Sequence, residues 1–166
     1  QKNAKWVWGE EQQAAHDALK RQLTIEGLAL RRIDYSKPLI LHTDWSNHGI
    51  GAVLGQKDDD GNEYMCACIS RSLNKHERNY SSYKGEMLAA VWAIKTFRHH
   101  LHGSPFSLVT DHSPLTYLMS SANLTGQYAR WALSLQDYDF EVSHRPGVTH
   151  QNADALSRFP REDSLD

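Results

Sequence analysis

No apolar run in this chain approaches the roughly 18 residues that a helical membrane span needs. Only two cysteines are present in 166 residues. They stand two apart, as Cys66 and Cys68. On a strand their Cα atoms would lie roughly 6.5–7 Å apart, marginal for a disulfide. There is no CxxC and no second pair, so a cysteine-based zinc site has no framework. Both thiols are expected to be buried and reduced. An excess of positive charge is also missing: 18 lysines and arginines face 20 aspartates and glutamates, a net charge of −2. Proteins that coat nucleic acid by charge alone are usually basic. Any phosphate contact here must therefore be local or mediated by a metal. No leader peptide is visible, and the chain begins at Gln1 rather than Met, as expected of a piece of a longer polypeptide.

Hydrophobic residues make up 40% of the chain and charged residues 23%, enough for one ordinary domain with an additional arm. Residues 6–23 read as a helix opened at Gly9, with Ala14, Ala15, Ala18 and Leu19 at helical spacing. A short apolar stretch, Leu28 to Ile33, leads to a turn at 34–38. Three strand-like runs follow at 39–43, 50–56 and 64–70, separated by turns at 46–49 and 58–62. Such short links predict an antiparallel meander. A long helix is expected over 81–100, ended by Gly103-Ser104-Pro105, then a fourth strand at 106–110. Helices at about 113–119 and 127–136, a fifth strand at 138–143 and a last helix at 152–158 complete the pattern. A helix between the third and fourth strands permits a parallel crossover. The expected class is α/β, a mixed five-stranded sheet flanked by helices. His99, His100 and His102 read as a helix end, with no ligand-spaced partners for a structural zinc.

Four acids stand out by position. Asp44 ends the first strand, Asp111 ends the fourth, Glu86 opens the long helix and Asp154 opens the last one. Taken singly, each is an ordinary turn residue, cap or helix-dipole acid. Two acids at the ends of adjacent strands change that reading, because like charges so close need a cation or a raised pKa. Open α/β sheets also bind ligands at the carboxyl ends of their strands. If the four converge, hard oxygen ligands favour Mg²⁺ or Mn²⁺. Such a site can hold two ions about 3.5–4 Å apart, the arrangement that activates water in phosphodiester hydrolysis. The segment from His144 to His150 contains Arg145, Pro146 and Gly147 and reads as a flap before Asp154. A loop histidine is ordinarily idle in solvent; beside a metal pair it can shuttle protons or help product leave.

The ordered blocks LHTDWSNHGIGAVLGQ (41–56), SRSLNKHERNYSSYKGEMLAAVWAIKTFRHHLHG (70–103), FSLVTDHSPL (106–115) and YDFEVSHRPGVTHQNADALSR (138–158) resemble the ribonuclease H domain of reverse transcriptases from gypsy-class LTR retrotransposons. NADALSR after HRPG is the most diagnostic piece. The resemblance covers about residues 34–160. It implies a ribonuclease H-like fold, with three antiparallel strands followed by parallel ones. Residues 1–33 resemble the connection between polymerase and nuclease, with His16 where an aromatic is usual. Residues 161–166 are read as a frayed acidic tail.

The implied activity is metal-dependent endonucleolytic hydrolysis of the RNA strand of an RNA–DNA hybrid during reverse transcription, leaving 5′-phosphate and 3′-hydroxyl ends. Asp44, Glu86, Asp111 and Asp154 match the family's four metal-binding acids in order, with two Mg²⁺ as cofactors and Mn²⁺ as a substitute. By that resemblance Asp44 bridges both ions, Asp154 shares the ion that activates water, and Glu86 and Asp111 share the leaving-group ion. His144 matches the flap histidine. Trp45, Ser46, Ser82, Tyr83 and Arg145 are the implied substrate contacts, near the 2′-hydroxyl that separates RNA from DNA. Ser82 stands where relatives outside this class often have Asn. The interval between Asp111 and Asp154 lacks a Lys/Arg-rich insertion, which predicts salt-sensitive binding unless the polymerase domain of the same polyprotein helps. The implied partners are the hybrid and that polymerase domain, without a membrane, in a cytoplasmic virus-like particle. Two alternatives stand beside this reading: a noncatalytic spacer or hybrid-binding module of the same fold, and another nuclease or integrase on a related fold.

Overall fold

The computed structural model describes residues 8–24, 30–110, 124–144 and 157. In chain order its elements are α1 (Glu10–Thr24), β1 (Leu39–Trp45), β2 (Gly49–Lys57), β3 (Glu63–Ser72), a 3-10 turn (Glu77–Asn79), α2 (Ser82–Thr96), α3 (Arg98–Leu101), β4 (Phe106–Thr110), α4 (Gly126–Leu135) and β5 (Phe140–His144). The expected helices at 113–119 and 152–158 lie outside the described residues, apart from Ser157, which is helical.

The five strands form one sheet in the order β3-β2-β1-β4-β5. β1, β2 and β3 pair antiparallel, whereas β4 and β5 run parallel to β1. The mixed sheet expected from the sequence is therefore present. Local chemistry makes its turns. Asp58 Oδ1 accepts the amides of Asp60 (3.1 Å) and Asn62 (2.8 Å), and Gly61 takes the left-handed φ of 84° that the turn requires. The β2–β3 ladder shifts register between Leu54 and Gly55. A Cβ at Gly55 would lie 2.6 Å from the Tyr64 carbonyl oxygen, so only glycine lets the strands approach there.

α2 begins one residue later than expected, because Ser81 is its N-cap and accepts from the Lys84 amide at 3.4 Å. It also stops earlier. Phe97, at φ −88° and ψ 17°, separates α2 from the short α3, and both Phe97 and Leu101 turn into the core. The sequence carries no Gly or Pro at that point, so the break follows from burial rather than from a local breaker. The apolar surface of α2 is wider than a stripe: all residues from Gly85 to Val91 are buried, with Ala93 and Ile94. It packs on Leu39, Leu41, Ile50, Ala52, Leu54 and Leu108, and α4 adds Trp131 and Leu135 to the same cluster. Residues at alternate β1 positions, Ile40 and His42, point to the opposite face.

Two further expectations are corrected. The first helix starts at Glu10, with Gly9 and Trp8 ahead of it; residues 6 and 7 lie outside the described part. Gln12 Oε1 accepts the Gly9 amide at 2.9 Å, which fixes that start. The cysteines are not both buried: Cys66 is half-buried and Cys68 is exposed, both as free thiols. β3 is the edge strand of the described sheet, and among the described residues its outer side meets a bridge at Met65 from Leu30. Burial still pushes the Cys66 thiol above its ordinary pKa, against the pull of Arg31.

Candidate active site

Parallel pairing sends the carboxyl ends of β1, β4 and β5 to one edge of the sheet. Asp44 is the penultimate residue of β1 and is only 7% exposed. Thr110 ends β4, is buried, and pairs with His144 at the end of β5. His144 thus has its backbone at this edge; its side chain lies outside the described part. Asp111, Arg145 and Asp154 also lie outside the described residues.

Glu86 comes to this edge from α2. It does not open the helix, as read from the sequence, because α2 starts at Ser82 and has no acid in its first turn. It sits in the second turn, 3% exposed, where the dipole of the helix end no longer explains it. The end of β1 and the start of α2 touch beside it. The Trp45 indole lies directly on Gly85, so closely that a Cβ there would overlap the ring. Asp44 precedes one partner of that contact and Glu86 follows the other. Burying two ionised carboxylates is costly unless a cation or donors compensate.

Donors are supplied from the C-terminal part of the chain. The fully buried Ser157 donates its hydroxyl proton to Asp44 Oδ2. Its own carbonyl accepts from Ser46 Oγ at 2.7 Å. Ser46 Oγ accepts in turn from the amides of His48 (3.1 Å) and Gly49 (3.2 Å), and its amide donates to the Gly49 carbonyl (2.9 Å), which makes the tight β1–β2 turn. Sequence reading assigned Ser157 no role, although it stands within the diagnostic NADALSR block. Gly85 was likewise quoted in its block without a function. Neither residue type signals its contact.

Of the expected substrate contacts, Ser82 and Tyr83 are exposed on the first turn of α2, while Trp45 and Ser46 are half-buried at the end of β1. Behind them, Glu77 braces the chain that enters α2. Its two carboxylate oxygens accept from Arg71 at 2.7 and 2.9 Å, and the Asn74 amide adds a third bond at 3.0 Å. The Arg71 guanidinium also lies 5.6 Å from the Trp92 ring centroid. Burial alone raises the Glu77 pKa, but the Arg71 bonds and charge and the Asn74 amide outweigh it and hold the carboxyl below its ordinary value.

Among the described residues no three His, Cys, Asp or Glu side chains form a cation cage. Asp44 and Glu86 nevertheless fit half of a hard-cation site: both are buried carboxylates at one edge, without thiolates among the contacts described.

A model of the RNase H-like domain found in reverse transcriptase matches residues 34–138. The retrovirus-related Pol polyprotein of the transposon opus, from Drosophila melanogaster, is 43% identical over 127 residues, covering 76% of this chain and 13% of that protein. The chain therefore spans about an eighth of that relative. A foamy viral protease–reverse transcriptase solved in complex with double-stranded DNA superposes with a TM-score of 0.64 at 13% identity, over 86% of this chain and 28% of that one. RNase H1 from the halophilic archaeon Halobacterium salinarum does so with a TM-score of 0.51 at 17% identity, over 72% and 93%. The family model covers well over half of the chain, and the chain belongs to the family of RNase H-like domains found in reverse transcriptases.

Proposed function

We propose that this domain is an endonuclease that hydrolyses the RNA strand of RNA–DNA hybrids during reverse transcription, leaving 5′-phosphate and 3′-hydroxyl ends. One observation carries the reading: Asp44 and Glu86 are buried where the end of β1 meets α2, at the carboxyl edge of a parallel sheet. The β1–β4 register supports it further. It is parallel as far as His42 and Val109, so β4 runs toward the edge where β1 carries Asp44, and Asp111 is the next residue in the chain after Thr110. Ser157 on Asp44 supports an approach of Asp154, three residues earlier in the chain.

Carboxylate oxygens suit Mg²⁺, with Mn²⁺ as a substitute. Two such ions, when bound, supply an activated water and a counter-charge for the leaving oxygen. Asp44 would hold both, Asp154 the one on the water side, and Glu86 and Asp111 the one on the leaving-group side. His144 takes up and releases a proton at its imidazole. Trp45, Ser46, Ser82, Tyr83 and Arg145 line the approach of the hybrid near the 2′-hydroxyl.

In this reading residues 34–160 are the nuclease, 161–166 an acidic tail, and 1–33 the link to a polymerase domain that helps hold the hybrid, within a cytoplasmic virus-like particle. The described part of the arm fits a link: no side chain described between 8 and 24 joins the core, and Trp8 is 52% exposed. The test is incubation with a labelled RNA–DNA hybrid, with Mg²⁺ or with EDTA, beside Asp44→Asn and a double-stranded RNA control. Metal-dependent cutting of hybrid RNA alone, lost in the variant, supports the reading. Near wild-type hydrolysis by Asp44→Asn refutes the site, and no cutting by the intact chain with its polymerase present favours a noncatalytic spacer.

A further inference from the structure

We propose that Ser157 is a positioning residue for Asp44, which sets the plane of that carboxylate for the cation site and fastens the C-terminal segment to β1. The inference rests on the metal-dependent reading above. Two bonds run between the same two short stretches, in opposite senses. Ser157 Oγ donates to Asp44 Oδ2, and Ser46 Oγ donates to the Ser157 carbonyl. Both cross more than a hundred residues of sequence.

A serine hydroxyl in a helical stretch ordinarily bonds a carbonyl one turn back. Here it is spent on the acid, in a fully buried place from which water is excluded. The backbone that carries the donor is anchored, because the Ser157 carbonyl accepts from Ser46, and Ser46 is locked in the turn by the amides of His48 and Gly49. One oxygen of Asp44 is thereby fixed by a neutral donor that adds no charge. That sets the plane of the carboxylate that a hard cation would meet. Partners that orient a metal-ligating carboxylate in this way typically change metal affinity about ten- to a hundred-fold when removed. The same bond ties Ser157 to the strand that carries Asp44.

Ser157→Ala removes one buried oxygen and leaves the helical backbone favoured. Mn²⁺ binding to the full chain is measured by calorimetry for the wild type, Asp44→Asn and Ser157→Ala, with melting temperature and hybrid kcat and KM on the same samples. The expected result is about a ten-fold or greater loss of Mn²⁺ affinity in Ser157→Ala, with a fall in kcat and an unchanged KM. The melting temperature without metal should move little. Should Ser157→Ala not fold, Ser157→Cys keeps the volume with a weaker donor and must show an intermediate loss of affinity. Wild-type Mn²⁺ affinity in either folded variant overturns the positioning role and leaves the nuclease reading standing. Failure of the wild type itself to bind Mn²⁺ overturns both, and marks the metal reading as the cause.

Discussion

The indole of Trp45 rests on Gly85, with no room between them for a side chain at position 85. Helix propensity and packing make opposite statements about Gly85→Ala. Propensity favours alanine in a helix by about 1 kcal/mol. Overpacking costs typically about 1–3 kcal/mol, and this clash meets an indole ring rather than a flexible tip. Packing should win, so urea unfolding should show a lower midpoint for Gly85→Ala. Because Glu86 is the next residue, hybrid cleavage should fall more than stability does. A higher midpoint with full activity would show that the helix can shift away from β1 without consequence.

Gln56 is the buried polar hub under the start of the nuclease segment. Its Oε1 accepts the Asp34 amide at 2.8 Å, and its Nε2 donates to the carbonyls of Asp34 (2.7 Å) and Lys37 (3.0 Å). The Tyr64 hydroxyl completes it at 3.2 Å. Gln56→Leu leaves these backbone groups without the amide, and each lost partner costs about 1–3 kcal/mol where water cannot replace it. Since Asp34 is exposed, part of that is recovered from solvent. A net loss of about 2–4 kcal/mol is expected from denaturant unfolding. Cleavage at low temperature should persist, because Gln56 lies at the far end of β2 from Asp44.

Glu77 gives a signed pH dependence. Its carboxyl is held below the ordinary 4.5 in the folded chain, so its contribution to stability is complete above that value and is lost as pH falls through the folded one. Wild-type stability should therefore drop between roughly pH 5 and 3 by more than that of Glu77→Gln, which carries no titrating group. Thermal melts of both proteins across that range measure the difference. Parallel curves would mean that Arg71 does not stabilise the charged form.

Exchange of the cation tests the proposed chemistry without a mutation. Ca²⁺ takes more ligands at longer and looser distances than Mg²⁺. Ca²⁺ should support hybrid binding yet slow cleavage strongly, read by filter binding and by product gels. Equal cleavage rates in both ions would contradict two ions held in tight geometry.

Much of this arrangement was legible in the amino-acid order because it depends on local rules. Leu39 to Thr43 and Phe106 to Thr110 are short apolar runs closed by turn residues, and they are β1 and β4. A polar residue at the end of such a run stands out, which is how Asp44 and Asp111 were singled out. Glu86 lies in the second turn of α2 rather than its first, because Ser81 is the cap. Phe97 and the exposed Cys68 were misjudged, since a helix break made by core packing and an edge position in the sheet leave no local mark.

Composition and pattern by themselves determined the class of fold and the chain order of the five strands, because hydrophobic period, turn chemistry and chain order act within a few residues. Only the tertiary structure decided that Trp45 closes on Gly85 and that Ser157 holds Asp44. Those contacts join residues 40 and 113 positions apart, and they depend on how the faces of a sheet are covered, which no single segment encodes.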